Sequence, residues 1–148
     1  MKRTVRTTIL DVFEGQTDMT IATVRSDGYP QATTVSYVND GMKIYFACAR
    51  DSQKARNIAK NNKVSLTVNA PYADWNEIKA LSIGGTAQHV TDKDELIRVR
   101  RLVFRKFPPI AGYSAEADGE IAVFRVTPKV ICVLDYTKGF GHRDLVAL

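Results

Sequence analysis

A chain of 148 residues is the size of one domain, able to bury about two-thirds of the surface its unfolded form exposes. Its 45% hydrophobic and 25% charged residues describe an ordinary globule, and no apolar run approaches the ~20 residues of a membrane-spanning helix. The net charge of +5, from 21 Lys+Arg against 16 Asp+Glu, is too mild to assign a nucleic-acid partner by itself.

In chain order, residues 4–14 form a helix that buries Val5, Ile9, Val12 and Phe13. Asp11 and Glu14 interrupt anything a signal peptide could use, which points to the cytosol. Strands follow at 19–25 and 31–38, joined by Ser26-Asp27-Gly28-Tyr29-Pro30, whose Asp-Gly pair signals a hairpin. Asn39-Asp40-Gly41 turns the chain into a third strand at 42–47. Asp51 and Ser52 offer caps to a short helix at 53–60, with Ala55, Ile58 and Ala59 on one face. Strand 64–68 alternates apolar and polar residues.

The start of that short helix carries a chemical signal. A helix N-terminus presents free amides and about half a positive charge, and therefore attracts anions. Lys54 sits in this first turn, where it opposes the dipole unless an anion lies between them. The pattern marks Lys54 as a candidate phosphate ligand; the plain alternative is a solvated surface lysine.

Beyond it, 71–76 is a loop and 78–90 a strand in which Gly84-Gly85 signals a bulge or a close backbone approach. Thr91 or Asp92 caps a helix at 94–107 with the apolar stripe Leu96, Val99, Val103, Phe104 and Phe107. Arg98, Arg100, Arg101, Arg105 and Lys106 give that helix a basic outer face, and Pro108-Pro109 stops it. With no aromatic interleaving or nucleic-acid motif, nucleic-acid binding by this face is not expected. A loop at 110–119 leads to strands 120–127 and 129–136, broken at Pro128, and a tail at 137–144. Cys48 and Cys132 form no CxxC pair and read as buried thiols, and His89 and His142 supply no metal-ligand spacing. Six or seven antiparallel strands with three helices make a mainly β domain spanning 1–148, a barrel with helices outside.

Several segments resemble the FMN-binding split-barrel family related to pyridoxamine 5′-phosphate oxidase. They are Asp27-Gly28-Tyr29-Pro30, Ile44-Tyr45-Phe46-Ala47 leading to Ser52-Gln53-Lys54-Ala55-Arg56-Asn57, Asn61-Asn62-Lys63-Val64-Ser65-Leu66, and Gly85-Thr86-Ala87-Gln88-His89-Val90. The resemblance covers residues 3–136, with the first three strands running as a meander. It implies a split β-barrel homodimer with two FMN sites between subunits. Strand-two positions Thr33, Thr34, Val35 and Ser36 would meet the cofactor, as would Ala47, Cys48 and Ala49 at the end of strand three. Ser52, Gln53 and Lys54 would hold the phosphate. A dimer would also cover the strand faces bearing Val35, Tyr37, Leu81 and Ile83.

Departures from the family narrow the function. Vitamin-oxidising members tend to have arginines where Thr33 and Gln53 stand, and a Trp- and Arg-rich ending; this chain has no tryptophan after Trp75. The resemblance thus implies an FMN-dependent oxidoreductase for a small molecule other than vitamin B6. The alternative is a non-catalytic module holding flavin, deazaflavin or haem. Trp75, Tyr113, Phe140 and His142, in loops or the tail, are candidates for the substrate side; the plain alternative for each, and the favoured one, is core filler or an exposed loop residue.

Overall fold

The computed structural model describes residues 1–108 and 120–148. Helix α1 (Arg3–Gly15) buries Val5, Ile9, Val12 and Phe13, as its periodicity predicts. Strands β1 (Asp18–Val24) and β2 (Pro30–Ser36) form the Asp-Gly hairpin, with Ile21 opposite Thr33. The predicted strand 31–38 then divides at Tyr37: β3 (Val38–Asp40) turns at Gly41 and pairs with β4 (Lys43–Ala49) instead. Helix α2 (Gln53–Lys60) follows, then β5 (Lys63–Asn69), β6 (Lys79–His89), α3 (Lys93–Lys106), β7 (Ile121–Asp135) and β8 (Arg143–Ala147). All pairs are antiparallel in the order β2-β1-β5-β6-β7-β4-β3, with β8 beside β7, and the sheet curls into a split barrel.

The three-strand meander is not formed. β2 pairs with β1 alone, while β3 and β4 lie at the far end of the strand order, because β4 takes β7 as its partner. Curling brings β2 and β4 side by side without a ladder between them, and this is the split in the barrel. Pro128 does not break the last long strand. It lies opposite Gly85, where the β6–β7 register shifts, so its missing N–H falls at an irregular point of the ladder. A Cβ at Gly85 would collide with the Thr127 carbonyl, which is why glycine is needed there. The end of the tail adds a strand that the sequence reading does not include, since residues 143–147 pair with β7.

Helix α3 packs most of the stripe read from its sequence: Leu96, Val99, Val103 and Phe107 meet Val38, Tyr45 and Val90, and Leu102 joins them. Glu95 and Val99 are its buried residues, whereas Phe104 is 40% exposed beneath the Arg100 guanidinium. Nor is its basic face wholly external: Lys106 Nζ donates to the Phe13 carbonyl at 3.1 Å and lies 3.9 Å from the Tyr37 ring centroid. Glu95 and Lys106 can turn inward because each has a partner. Glu95 accepts two bonds from Arg125, at 2.6 and 2.7 Å, and one from Tyr45 at 3.0 Å.

Tyr37, Leu81 and Ile83 are each 1% exposed inside the barrel, and Val35 packs against the same core. Covering these four positions therefore does not need a partner. The large apolar side chains left outside include Trp75, Phe140 and Leu145.

Candidate functional site

The β4–α2 turn is built to present the start of a helix. Ser52 caps α2: its Oγ accepts from the Ala55 amide at 3.3 Å and its carbonyl from the Arg56 amide at 3.1 Å. The Gln53 and Lys54 amides are the two that Ser52 leaves unpaired in the first turn. No acidic residue stands in that turn to balance the dipole. The side chain of Lys54, a half-buried residue, makes no hydrogen bond or ion pair among the described residues.

Gln53 is differently engaged. Its Nε2 donates to Asn57 Oδ1 at 2.7 Å and its Oε1 accepts from Arg56 at 2.8 Å. Its side chain is committed within the helix, so its backbone amide is what it has left to offer a ligand. Arg56 also donates to the Asp51 carbonyl, which folds its guanidinium back over the helix start. Two cations therefore gather at the positive end of α2.

Asn57, 2% exposed, is buried where the sequence pattern suggested Ala59. Its Nδ2 donates to Thr23 at 2.9 Å and Gln31 at 3.0 Å, anchoring α2 to β1 and β2. Sequence reasoning missed this residue. The available signal was a poor helix former between Ala55 and Ile58 on the inward side of a short helix.

Across the split, Thr33 and Val35 point inward on β2, while Thr34 and Ser36 are exposed. Ser36 Oγ already donates to Asp18 at 3.0 Å. Thr33 Oγ1 is buried without a hydrogen-bond partner among the described residues. Such an orphan costs about 1–3 kcal/mol unless something completes it. Ala47, Cys48 and Ala49, with Glu120 and Ile121, line a cavity of about 340 Å³; Ser52 Oγ donates to Cys48 Sγ at 3.4 Å. Cys48 and Cys132 are both free thiols, half-buried rather than fully enclosed.

The substrate-side candidates gather elsewhere. Trp75 and Phe140 are 66% and 70% exposed with ring centroids 6.5 Å apart, and Tyr136 lies 5.2 Å from Phe140. His142 Nε2 and Asp144 Oδ2 are 3.1 Å apart. Tyr113 lies outside the described residues. This aromatic group stands near Asp135, whereas Ala49 pairs with Ile121 at the other end of the 15-residue strand β7. At about 3.3 Å per residue, some 45 Å of strand separates them. The two groups lie at opposite ends of that strand.

A sequence profile described as pyridoxamine 5′-phosphate oxidase matches residues 5–134. The chain belongs to the pyridoxamine 5′-phosphate oxidase family. Among solved structures of this fold, a heme binding protein from Mycobacterium smegmatis superposes with a TM-score of 0.81 at 18% identity, over 99% of this chain and 59% of that protein. The chain therefore spans less than two-thirds of that relative's length. A conserved hypothetical protein of Mycobacterium tuberculosis, Rv2991, gives 0.76 at 24% identity, over 99% and 93% of the two chains. HutZ, the heme storage protein of Vibrio cholerae, gives 0.67 at 19% identity, over 94% and 91%. No match was found among curated proteins. An orphaned hydroxyl on β2, a helix first turn without acidic residues after β4 and a cavity lined by Ala47, Cys48, Ala49, Glu120 and Ile121 are the features against which a flavin can be tested.

Proposed function

We propose that this chain binds FMN in the β2–β4 split and acts as an oxidoreductase on a small molecule other than a B6 vitamer. The observation that carries this reading is the first turn of α2, with unpaired amides, Lys54 and Arg56, and no acidic residue. Lys54 and the Gln53 and Lys54 amides would hold the phosphate, Thr33 would donate to the cofactor, and Ala47–Ala49 would accept the ring edge. Bound FMN supplies the redox chemistry; the protein's part is to anchor it, orient it and exclude water. Thr33 and Gln53 stand where the vitamin-oxidising members tend to have arginines, and the tail carries Phe140 and His142 rather than a Trp- and Arg-rich segment.

A homodimer would complete the site. The aromatic group of Trp75 and Phe140, at the other end of β7 from Ala49, would come from the partner subunit, with His142 beside it. Sedimentation showing only monomer at micromolar concentration overturns this assembly.

Stripped protein titrated with FMN should quench flavin fluorescence saturably. No quenching at roughly tens of micromolar, with the circular dichroism of a folded chain, overturns the reading. Haem is the second reading, favoured by the His142–Asp144 contact beside exposed aromatic rings, and deazaflavin would use the same phosphate contacts. The absorption spectrum of the purified protein, with mass spectrometry of whatever heat releases, separates the three.

A further inference from the structure

The inner side of the same sheet carries a second cavity, of about 280 Å³, that the cofactor reading does not use. Its roof is α2, where Ala55 and Ala59 lie one turn apart beside Ile58. Its floor is the β6–β7 ribbon: Ala87 and His89 share one face of β6, and Ala122 and Phe124 share the facing side of β7. Ala122 and Phe124 are 3% and 4% exposed, whereas Ala47, Ala49 and Ile121 of the first cavity lie on the outer face. The two cavities thus occupy opposite sides of the sheet.

Four alanines in one lining leave room that a close-packed interior would ordinarily fill. The volume falls just under the usual range of about 300–1,000 Å³ for ligand pockets, which suits a single-ring molecule and is too small for a flavin. The rim supplies selectivity. Arg50 and His89 are exposed there, and neither side chain forms a hydrogen bond or ion pair among the described residues. No carboxylate lines the cavity among the described residues. His89 lies against Phe124, ring centroids 5.5 Å apart and 37° between planes, which gives an aromatic wall below a cation. An apolar hollow with a free guanidinium at its mouth is complementary to a planar apolar body bearing one carboxylate, which arginine can grip through two parallel bonds.

We propose that the cavity between α2 and the β6–β7 ribbon binds a small aromatic carboxylate, with Arg50 on the carboxylate and the Phe124–His89 wall against the ring. The test is a fluorine NMR titration of the full chain with 4-fluorobenzoate and its neutral counterpart 4-fluorobenzamide. The acid should bind about tenfold more tightly than the amide, and Arg50→Gln should remove that difference. Ala59→Leu, at an exposed helical position that tolerates leucine, should fill the cavity and abolish binding of both. Saturating FMN should displace neither probe. Equal affinity for acid and amide, no binding of either, wild-type binding by Ala59→Leu, or displacement by FMN each overturns the proposal.

Discussion

Asn57 Nδ2 donates to Gln31 Oε1 at 3.0 Å, fastening the helix that carries Lys54 to the strand that carries Thr33. The same amide serves Thr23, and its carbonyl takes Gln53. Asn57→Ala strands those partners in a buried place and should cost about 1–3 kcal/mol, read from the denaturant midpoint at unchanged slope. Gln31→Ala, at a half-buried position, should cost less. The double variant should lose less than the sum, since the two share one bond; strict additivity would show that the bond contributes nothing.

Lys54→Ala separates a phosphate ligand from a surface lysine. FMN should bind about 1.5–3 kcal/mol more weakly, more than tenfold, while riboflavin, which has no phosphate, should bind both proteins alike. Stability without ligand should stay level or rise slightly, because a cation leaves the positive end of α2. Equal losses for FMN and riboflavin would show that the lysine does not read the phosphate.

Gly85→Ala tests the bulge. The added methyl meets the Thr127 carbonyl and approaches Pro128 Cα at 3.0 Å, both backbone atoms that cannot rotate away. A loss of about 1–3 kcal/mol is expected from overpacking. Gly15→Ala, with nothing within 4 Å of the new methyl, is the control and should cost little.

The Glu95–Arg125 pair should govern acid stability. Burial raises the Glu95 carboxyl, but hydrogen bonds from Arg125 and Tyr45 and the charges of Arg125 and Arg98 outweigh it and hold the group below its ordinary 4.5. A lowered carboxyl contributes stability that is present above 4.5 and lost as pH falls through the folded value. Glu95→Gln should therefore cost about 3 kcal/mol near neutrality, and the gap from wild type should narrow below pH 4.5. A gap that is constant down to acid unfolding would exclude the pair.

Lys106 predicts the opposite pH range. Burial lowers its amine from 10.5 to about 8, against the attraction of Asp18 and Glu14. Below pH 8 the lysine is protonated in both states. Between 8 and 10.5 the unfolded chain binds more protons than the folded one, so stability rises with pH. Urea unfolding of wild type and Lys106→Met across that window should show wild type gaining on the variant; parallel curves would refute the shift.

The sequence by itself determined the local elements and the identity of Lys54 as a residue to test. Apolar periodicity was enough for α1, Asp-Gly for the β1–β2 hairpin, Ser52 for the start of α2 and Gly84-Gly85 for the bulge, because each signal acts within a few residues. Pairing is a different kind of information. Nothing local says that β4 joins β7 and leaves β2 at an open edge, or that Pro128 can stay inside a strand because Gly85 faces it. The inward turns of Asn57, Glu95 and Lys106 were invisible for the same reason. A polar or charged side chain can be buried only when distant residues supply its bonds, here Gln31 and Thr23, Arg125 and Tyr45, and the Phe13 carbonyl. Those partners, and with them the split between β2 and β4, come into reach only once the sheet has curled.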